Sequence, residues 1–152
     1  KRHFGRIKIF YNNLDPLFIF SVIRQESLFE GFVSSSAGAR GLMQIVPGTG
    51  ADMVSQLGWP PNYDDKDLYR PNVSVALGTH YLGNNRDLLG GDLYATLAAY
   101  NGGPGNSLQW KELSGNDPDL FLETVRFEET RNYIRGIYEL YVIYKRLYGS
   151  GE

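Results

Sequence analysis

The chain has 152 residues, a formal net charge of −2 and no cysteine. This length suits one domain that buries its own core, so we expect a single domain over residues 1–152. The lack of cysteine excludes disulfides, thiolate nucleophiles and cysteine-rich metal sites, and the dispersed basic residues argue against nucleic-acid binding. The longest apolar run, Leu17–Ile23 interrupted by Ser21, is too short to cross a bilayer, so we expect no transmembrane segment.

The first residue is Lys1, and the chain shows neither an initiator methionine nor a signal-peptide pattern. We therefore expect an excised domain or a processed product. We assign no role to residues 1–13.

Apolar periodicity predicts an all-α protein, because strand signals are poor and helical spacing recurs between turn signals. The predicted helices are 16–27, 41–45, 48–57, 73–89, 92–100, 104–112, 118–124 and 128–148. Asp15, Asn72 and Asp92 are the expected N-caps, and Gly90 and Gly149 the expected terminators. In the last helix, the spacing of the tyrosines predicts that most of them pack into the core.

The first predicted helix places Glu26 where a carboxylate is costly. Ile19 and Ile23 lie on its apolar stripe, and Glu26 takes the next position of that stripe. A charge on an apolar face must be paired or have its pKa raised, and a carboxylic acid with a raised pKa suits a general acid near neutral pH. The alternative is structural, because Glu26 at a helix end can reach solvent or pair with Arg24 or Arg131.

A small-residue loop over 34–41 lets the chain reverse and return Ser35 and Gln44 to the end of the first helix. Serine and glutamine carry hydrogen-bonding groups of the kind that orient sugars. The alternative is a turn followed by a short core helix that buries Met43. Both interpretations can hold together.

Two more stretches carry polar groups at helix ends. Residues 98–105 read Ala-Ala-Tyr-Asn-Gly-Gly-Pro-Gly, which exposes Tyr100 and Asn101 where a helix breaks. The Tyr100 phenol can hydrogen-bond a carboxyl group or a sugar. The last helix begins with acidic residues that its dipole already explains, so local grounds for a role of Glu129 or Tyr133 are weak. His3 and His80 lack metal-ligand spacing, and we expect no metal site.

Four motifs occur one after another between residues 14 and 148. They are Ile23-Arg24-Gln25-Glu26-Ser27, then Gly38-Ala39-Arg40-Gly41-Leu42-Met43-Gln44 with Pro47, then 98–105, and finally Glu129-Thr130-Arg131 with Tyr133. Together they resemble the catalytic domain of the soluble lytic transglycosylase family. The resemblance implies a lysozyme-like helical domain of the goose-type lysozyme superfamily with a glycan-binding groove. One departure is Glu30-Gly31-Phe32, where the family often has Asn-Pro after Glu-Ser.

The resemblance also implies residue roles. Glu26 is implied as the catalytic acid and base. Positions that line the glycan groove or support the glutamate are Ser35, Met43, Gln44, Tyr100, Asn101 and Glu129, with Tyr133 in the same motif.

The implied reaction is cleavage of the MurNAc–GlcNAc β-1,4 bond of peptidoglycan with formation of 1,6-anhydroMurNAc. It needs no cofactor and no metal, and its partner is a peptidoglycan glycan strand. By the same resemblance we expect a monomer in the periplasm or cell envelope of a bacterium.

Two alternatives stay open at this point. One is a hydrolytic muramidase of the goose-type lysozyme kind, in which Asp52 or Glu30 assists an attacking water. The other is a non-catalytic wall-binding module that kept the fold.

Overall fold

The computed structural model describes residues 14–149, which form two compact units divided between Tyr81 and Leu82. Residues 14–149 contain seven α-helices, one 3₁₀ helix and no strand, so the all-α prediction is confirmed. In the first unit lie α1 (Pro16–Ser27), α2 (Pro47–Leu57), the 3₁₀ helix η1 (Asp65–Tyr69) and most of α3 (Pro71–Leu88). The second unit holds the end of α3 followed by α4 (Leu93–Gly102), α5 (Pro104–Ser114), α6 (Pro118–Thr124) and α7 (Glu128–Tyr148).

Seven of the eight predicted helices are confirmed, with ends within two residues of those expected. Asp15 and Asp92 are N-caps, because their carboxylates accept the N–H groups of Leu17 at 2.9 Å and Ala95 at 3.1 Å. The prediction for Asn72 is wrong, since α3 begins one residue earlier, at a proline whose missing N–H suits a first helical position. The helix η1 was not predicted.

The predicted helix over 41–45 is wrong. These residues form a turn and an isolated antiparallel bridge, in which Arg40 and Ile45 exchange both backbone hydrogen bonds at 3.0 and 3.1 Å. A helix cannot pass through this segment because Gly41 (φ 76) and Gln44 (φ 47) are left-handed. Met43 and Ile45 are nevertheless buried, as expected for the apolar positions.

The core of the first unit forms around the apolar face of α1. Ile19, Val22 and Ile23 are almost completely buried, and each contributes roughly 1.5–3 kcal/mol by leaving water. Met43 lies against α3 at Gly78, where a Cβ would overlap the methionine side chain. The loop that carries Met43 is therefore fixed to the helical part of this unit.

The second unit is built around α4. Five consecutive residues of this helix, 95–99, are buried, which is the pattern of a helix that neighbours cover on all sides. It contacts α5, α6 and α7, and Ser107 of α5 donates its hydroxyl to the Ala95 carbonyl at 2.6 Å. Small residues on α4 allow this close approach.

Helix α7 supports that core only with its first half. Tyr133, Ile134 and Ile137 are buried, whereas Val142 and Tyr148 are exposed by 50% and 69%. The prediction that most tyrosines of this helix are in the core is therefore wrong for its C-terminal half. Among the described residues, no helix is both long enough and apolar enough to span a membrane.

Tyr63 gives the first unit a pH-dependent stability. Its hydroxyl is buried without a hydrogen-bond partner among the described residues, and it lies against Gly50. Burial, helped by the nearby carboxylates of Asp65 and Asp67, raises the pKa of Tyr63 to about 12. The unfolded chain releases this proton first, from about pH 10, so stability falls as the pH rises from there to about 12.

We expect Tyr63→Phe to flatten that alkaline decline and to be neutral or stabilising at neutral pH, because it removes an unsatisfied buried hydroxyl. Urea unfolding at several alkaline pH values measures the effect for both proteins. An equally steep decline in the variant would contradict this account of Tyr63.

Candidate active site

Glu26 occupies the last turn of α1, directly before the residue that ends the helix. It continues the stripe of Ile19 and Ile23 and is half-buried, while those two side chains are 1% and 3% exposed. The hydroxyl of its neighbour Ser27 donates hydrogen bonds to the Ile23 carbonyl at 3.1 Å and the Leu42 carbonyl at 2.9 Å. The end of α1 is thereby tied to the following loop, and the predicted chain reversal is confirmed.

Gln44 and Ser35 use their polar groups to hold this loop together. The Gln44 side-chain amide donates to the carbonyls of Val33 at 3.2 Å and Gly41 at 2.9 Å. The Ser35 hydroxyl accepts the Ala39 N–H at 3.1 Å. Both hydrogens of the Gln44 amide are thus used, so its Oε1 is the atom that this side chain can offer to a ligand.

The same loop stores backbone strain. Leu28 and Phe29, which follow Ser27, have φ values of 53° and 66°, and Gln44 has 47°. Left-handed conformations cost on the order of 1–3 kcal/mol each in such residues and cluster at functional sites. Here they reverse the chain immediately after Glu26. No pattern in the sequence signals this feature.

Met43 does not lie at the protein surface. Its side chain is fully buried, its N–H donates to the Ser74 hydroxyl at 3.1 Å, and its sulfur lies 3.9 Å from the Thr79 hydroxyl. Contact of this side chain with a ligand stays a prediction. The geometry favours support of the loop that carries Gln44.

The second unit has its own cluster of predicted site residues, at the end of α4. Asn101 is exposed, and its Oδ1 accepts the hydroxyl hydrogen of Thr130 at 2.7 Å. Thr130 itself is 2% exposed. Because this bond fixes the side chain of Asn101, the Nδ2 group is the part that faces away from Thr130 and can donate to a ligand.

Gly102, next to Asn101, fits closely against the same neighbours. A Cβ at this position would come within 3.1 Å of the Thr130 hydroxyl and 3.3 Å of the Trp110 ring. The Gly102 carbonyl also accepts the side-chain amide of Asn106 at 2.7 Å. A side chain at Gly102 would therefore crowd Thr130 and Trp110 where α4 approaches the start of α7.

The other three predicted residues of the second unit lie beside this pair in the chain. Tyr100 precedes Asn101 and is half-buried, Glu129 precedes Thr130 and is exposed, and Tyr133 is 6% exposed one turn further along α7. The predicted site residues thus gather in two groups, one in each unit. Sequence reasoning gave Thr130 no role, because its partner lies 29 residues away.

Comparison with known proteins agrees with this architecture. Residues 8–120 match the family Transglycosylase SLT domain. The soluble lytic murein transglycosylase of Salmonella typhimurium is 33% identical over 142 residues, which are 92% of this chain and 22% of that protein. The protein of the same name from Escherichia coli K12 is 35% identical over 128 residues, 82% of this chain and 20% of the relative.

Solved structures give the same result. The 70-kDa soluble lytic transglycosylase of Escherichia coli is similar with a TM-score of 0.87 and 29% identity, over 97% of this chain and 25% of that one. An inactive mutant of the lytic transglycosylase Slt from Pseudomonas aeruginosa, with glutamine in place of a glutamate, gives 0.83 and 31%, over 99% and 25%.

These similarities define the class of protein as a helical domain of the lytic transglycosylase kind. The chain belongs to the transglycosylase SLT family, and the resemblance predicted from its four motifs is confirmed. It spans a quarter or less of the length of the relatives and structures described above.

Proposed function

We propose that this chain is the catalytic domain of a lytic transglycosylase that cleaves the β-1,4 bond between MurNAc and GlcNAc in peptidoglycan. The observation that carries the proposal is the position of Glu26, half-buried at the end of the apolar face of α1. The strained turn at 28–29 and the bonded loop that holds Gln44 support it. The relative that a single Glu-to-Gln change leaves inactive supports it further.

In the proposed reaction, Glu26 acts first as an acid. It gives its proton to the glycosidic oxygen while the bond from that oxygen to the anomeric carbon of MurNAc breaks. The N-acetyl carbonyl oxygen of the same sugar bonds the anomeric carbon and forms an oxazolinium-like intermediate. A second enzyme carboxylate is not needed, because the substrate supplies this nucleophile.

Glu26 then acts as a base. Its carboxylate takes the proton of the MurNAc C6 hydroxyl, whose oxygen attacks the anomeric carbon and displaces the N-acetyl oxygen. The products are a 1,6-anhydroMurNAc end and a free GlcNAc hydroxyl, and no water is consumed. Proton transfer from a positioned acid contributes roughly 10²–10⁴ in rate, and the intramolecular attack adds to it.

The other predicted site residues hold the strand in this proposal. Gln44 offers Oε1 to a sugar hydroxyl or amide, and Asn101 offers Nδ2 to a carbonyl or hydroxyl oxygen. Roles for Ser35, Tyr100, Glu129 and Tyr133 in lining the groove are part of the same proposal. The proposal also includes a single working domain, a monomeric state and a location in the bacterial periplasm or cell envelope.

Digestion of purified peptidoglycan tests the proposal. We expect soluble fragments with anhydromuramyl ends, identified by mass spectrometry. Fragments that end in reducing muramic acid would indicate a hydrolytic muramidase instead. Binding without release of fragments would indicate a wall-binding module.

The raised pKa of Glu26 also stays a prediction. An NMR titration of the Glu26 side-chain carboxyl in the free domain tests it. A midpoint clearly above the ordinary value of about 4.3 is expected. An unshifted midpoint would weaken the case that the apolar face prepares Glu26 for acid catalysis.

Thr130 gives a prediction about substrate positioning. We expect Thr130→Val to raise KM by roughly two- to ten-fold, because Asn101 loses a hydrogen bond of about 0.5–1.5 kcal/mol that fixes its amide. Thermal stability should change little, since the freed Asn101 oxygen is at the surface and water can replace the hydroxyl.

The double-mutant cycle separates this role from a structural one. Thr130→Ser should keep the parent KM, because the hydroxyl is retained. In an Asn101→Ala background, Thr130→Val should have no further effect on KM. An effect of the same size in both backgrounds would show that Thr130 does not act through Asn101.

A further inference from the structure

Phe32 is the most exposed large apolar side chain of the described residues, with a relative exposure of 88%. It does not contribute to the core. Its ring stacks on Tyr69 of η1, with centroids 6.2 Å apart and an angle of 17° between the ring planes. The Phe32–Tyr69 pair therefore places an aromatic ring at the protein surface, where it faces solvent.

The positively charged side chain of Arg40 contacts Tyr69, the other member of this pair. The Arg40 guanidinium lies 6.0 Å from the centroid of the Tyr69 ring, within the range of a cation–π contact, and 3.8 Å from a carboxylate oxygen of Asp65. Arg40 is itself fixed by backbone bridges to Ser34 and Ile45. The ring of Tyr69 thus contacts both Phe32 and Arg40.

Phe32 belongs to the loop that follows α1 and that also carries Ser35 and Gln44. Phe32 is six residues after Glu26, which limits the distance between their Cα atoms to about 20 Å. The next residue, Val33, provides the carbonyl that accepts both the Gln44 side chain at 3.2 Å and the Gly41 N–H at 3.0 Å. The Gln44 side-chain amide therefore lies beside the residue that follows Phe32.

We infer that the exposed face of Phe32 is a binding platform for a pyranose ring of the glycan strand, and this inference rests on the proposed function. One face of a pyranose presents C–H groups to a neighbour, and a flat aromatic ring fits such a face better than a branched aliphatic chain. The ring offers no polar group, so it binds the strand without selecting a particular hydroxyl. Phe32 lies in the Glu-Gly-Phe stretch where this chain departs from the Asn-Pro that the family often has.

Binding of defined glycan fragments tests the inference directly. All proteins carry Glu26→Gln so that the fragments are not consumed, and the ligands are purified peptidoglycan glycan fragments of increasing length. We expect Phe32→Leu to weaken the binding of long fragments by about three- to ten-fold, which corresponds to the roughly 0.5–1.5 kcal/mol of a geometric aromatic contact. Phe32→Trp should bind at least as tightly as the parent.

The control is Phe20→Leu, which makes the same chemical change at another exposed phenylalanine, 47% exposed on α1. It should leave binding unchanged, and the shortest fragments should bind all variants alike. Equal binding of Phe32→Leu and parent to every fragment would overturn the platform while leaving the proposed function intact. If the parent binds no glycan fragment at all, both the platform and the proposed function are wrong.

Discussion

Replacement of Glu26 by glutamine should reduce the release of fragments from peptidoglycan by at least roughly 10²–10⁴-fold. Glutamine has nearly the shape of glutamic acid and still forms hydrogen bonds, but it cannot give a proton to the glycosidic oxygen. The variant should fold normally and keep its affinity for glycan. Initial rates of fragment release, together with thermal unfolding of both proteins, measure the effect.

Two further carboxylates serve as matched controls. Glu30 and Asp52 are exposed residues of the same unit, and they are the groups that a water-activating mechanism would use. We expect Glu30→Gln and Asp52→Asn to retain activity within a few-fold. A loss in either control comparable to that of Glu26→Gln would favour the hydrolytic mechanism, and full activity of Glu26→Gln would remove Glu26 from the reaction.

Gly41→Ala should be the most destabilising single change in the loop that follows α1. A Cβ at this position would overlap the carbonyl oxygen of Leu68 and come within 2.9 Å of the Ser74 hydroxyl, which bonds the N–H of Met43. The φ of 76° adds a backbone cost of about 1–2 kcal/mol, and overpacking adds about 1–3. The expected loss of unfolding free energy is about 2–5 kcal/mol, which denaturant titration measures.

Gly38 provides the comparison for that experiment. It lies in the same loop and has a similar φ of 80°, but a Cβ there would have no atom within 4 Å. Gly38→Ala should therefore cost only the backbone contribution of about 1–2 kcal/mol. Equal losses for the two variants would show that the contact with Leu68 does not determine the cost at Gly41.

The helices were predictable because their signals are local. Asp15 and Asp92 act within two or three residues of themselves as caps, and the buried positions of α1 repeat with helical spacing. The position of Glu26 on the apolar face followed from the same spacing. What periodicity could not give is the path of the chain between helices.

The failure over 41–45 has that origin. Leu42, Met43 and Ile45 have the apolar spacing of a short helix, but the backbone there is set by contacts with Leu68 and Ser74, which are distant in sequence. The partnership of Asn101 and Thr130 and the stacking of Phe32 on Tyr69 are likewise long-range. Roles for the site residues came from motif resemblance, because local spacing alone gave weak grounds for most of them.

Digestion of peptidoglycan in oxygen-18 water tests the central claim most directly. If the MurNAc C6 hydroxyl is the nucleophile, the new muramyl ends contain no oxygen-18, and each soluble fragment is lighter by one water than a hydrolysis product. Mass spectrometry of the fragments should find only these unlabelled anhydro ends. Ends that carry one oxygen-18 would show that water attacks the anomeric carbon, and would contradict the proposed transglycosylase reaction.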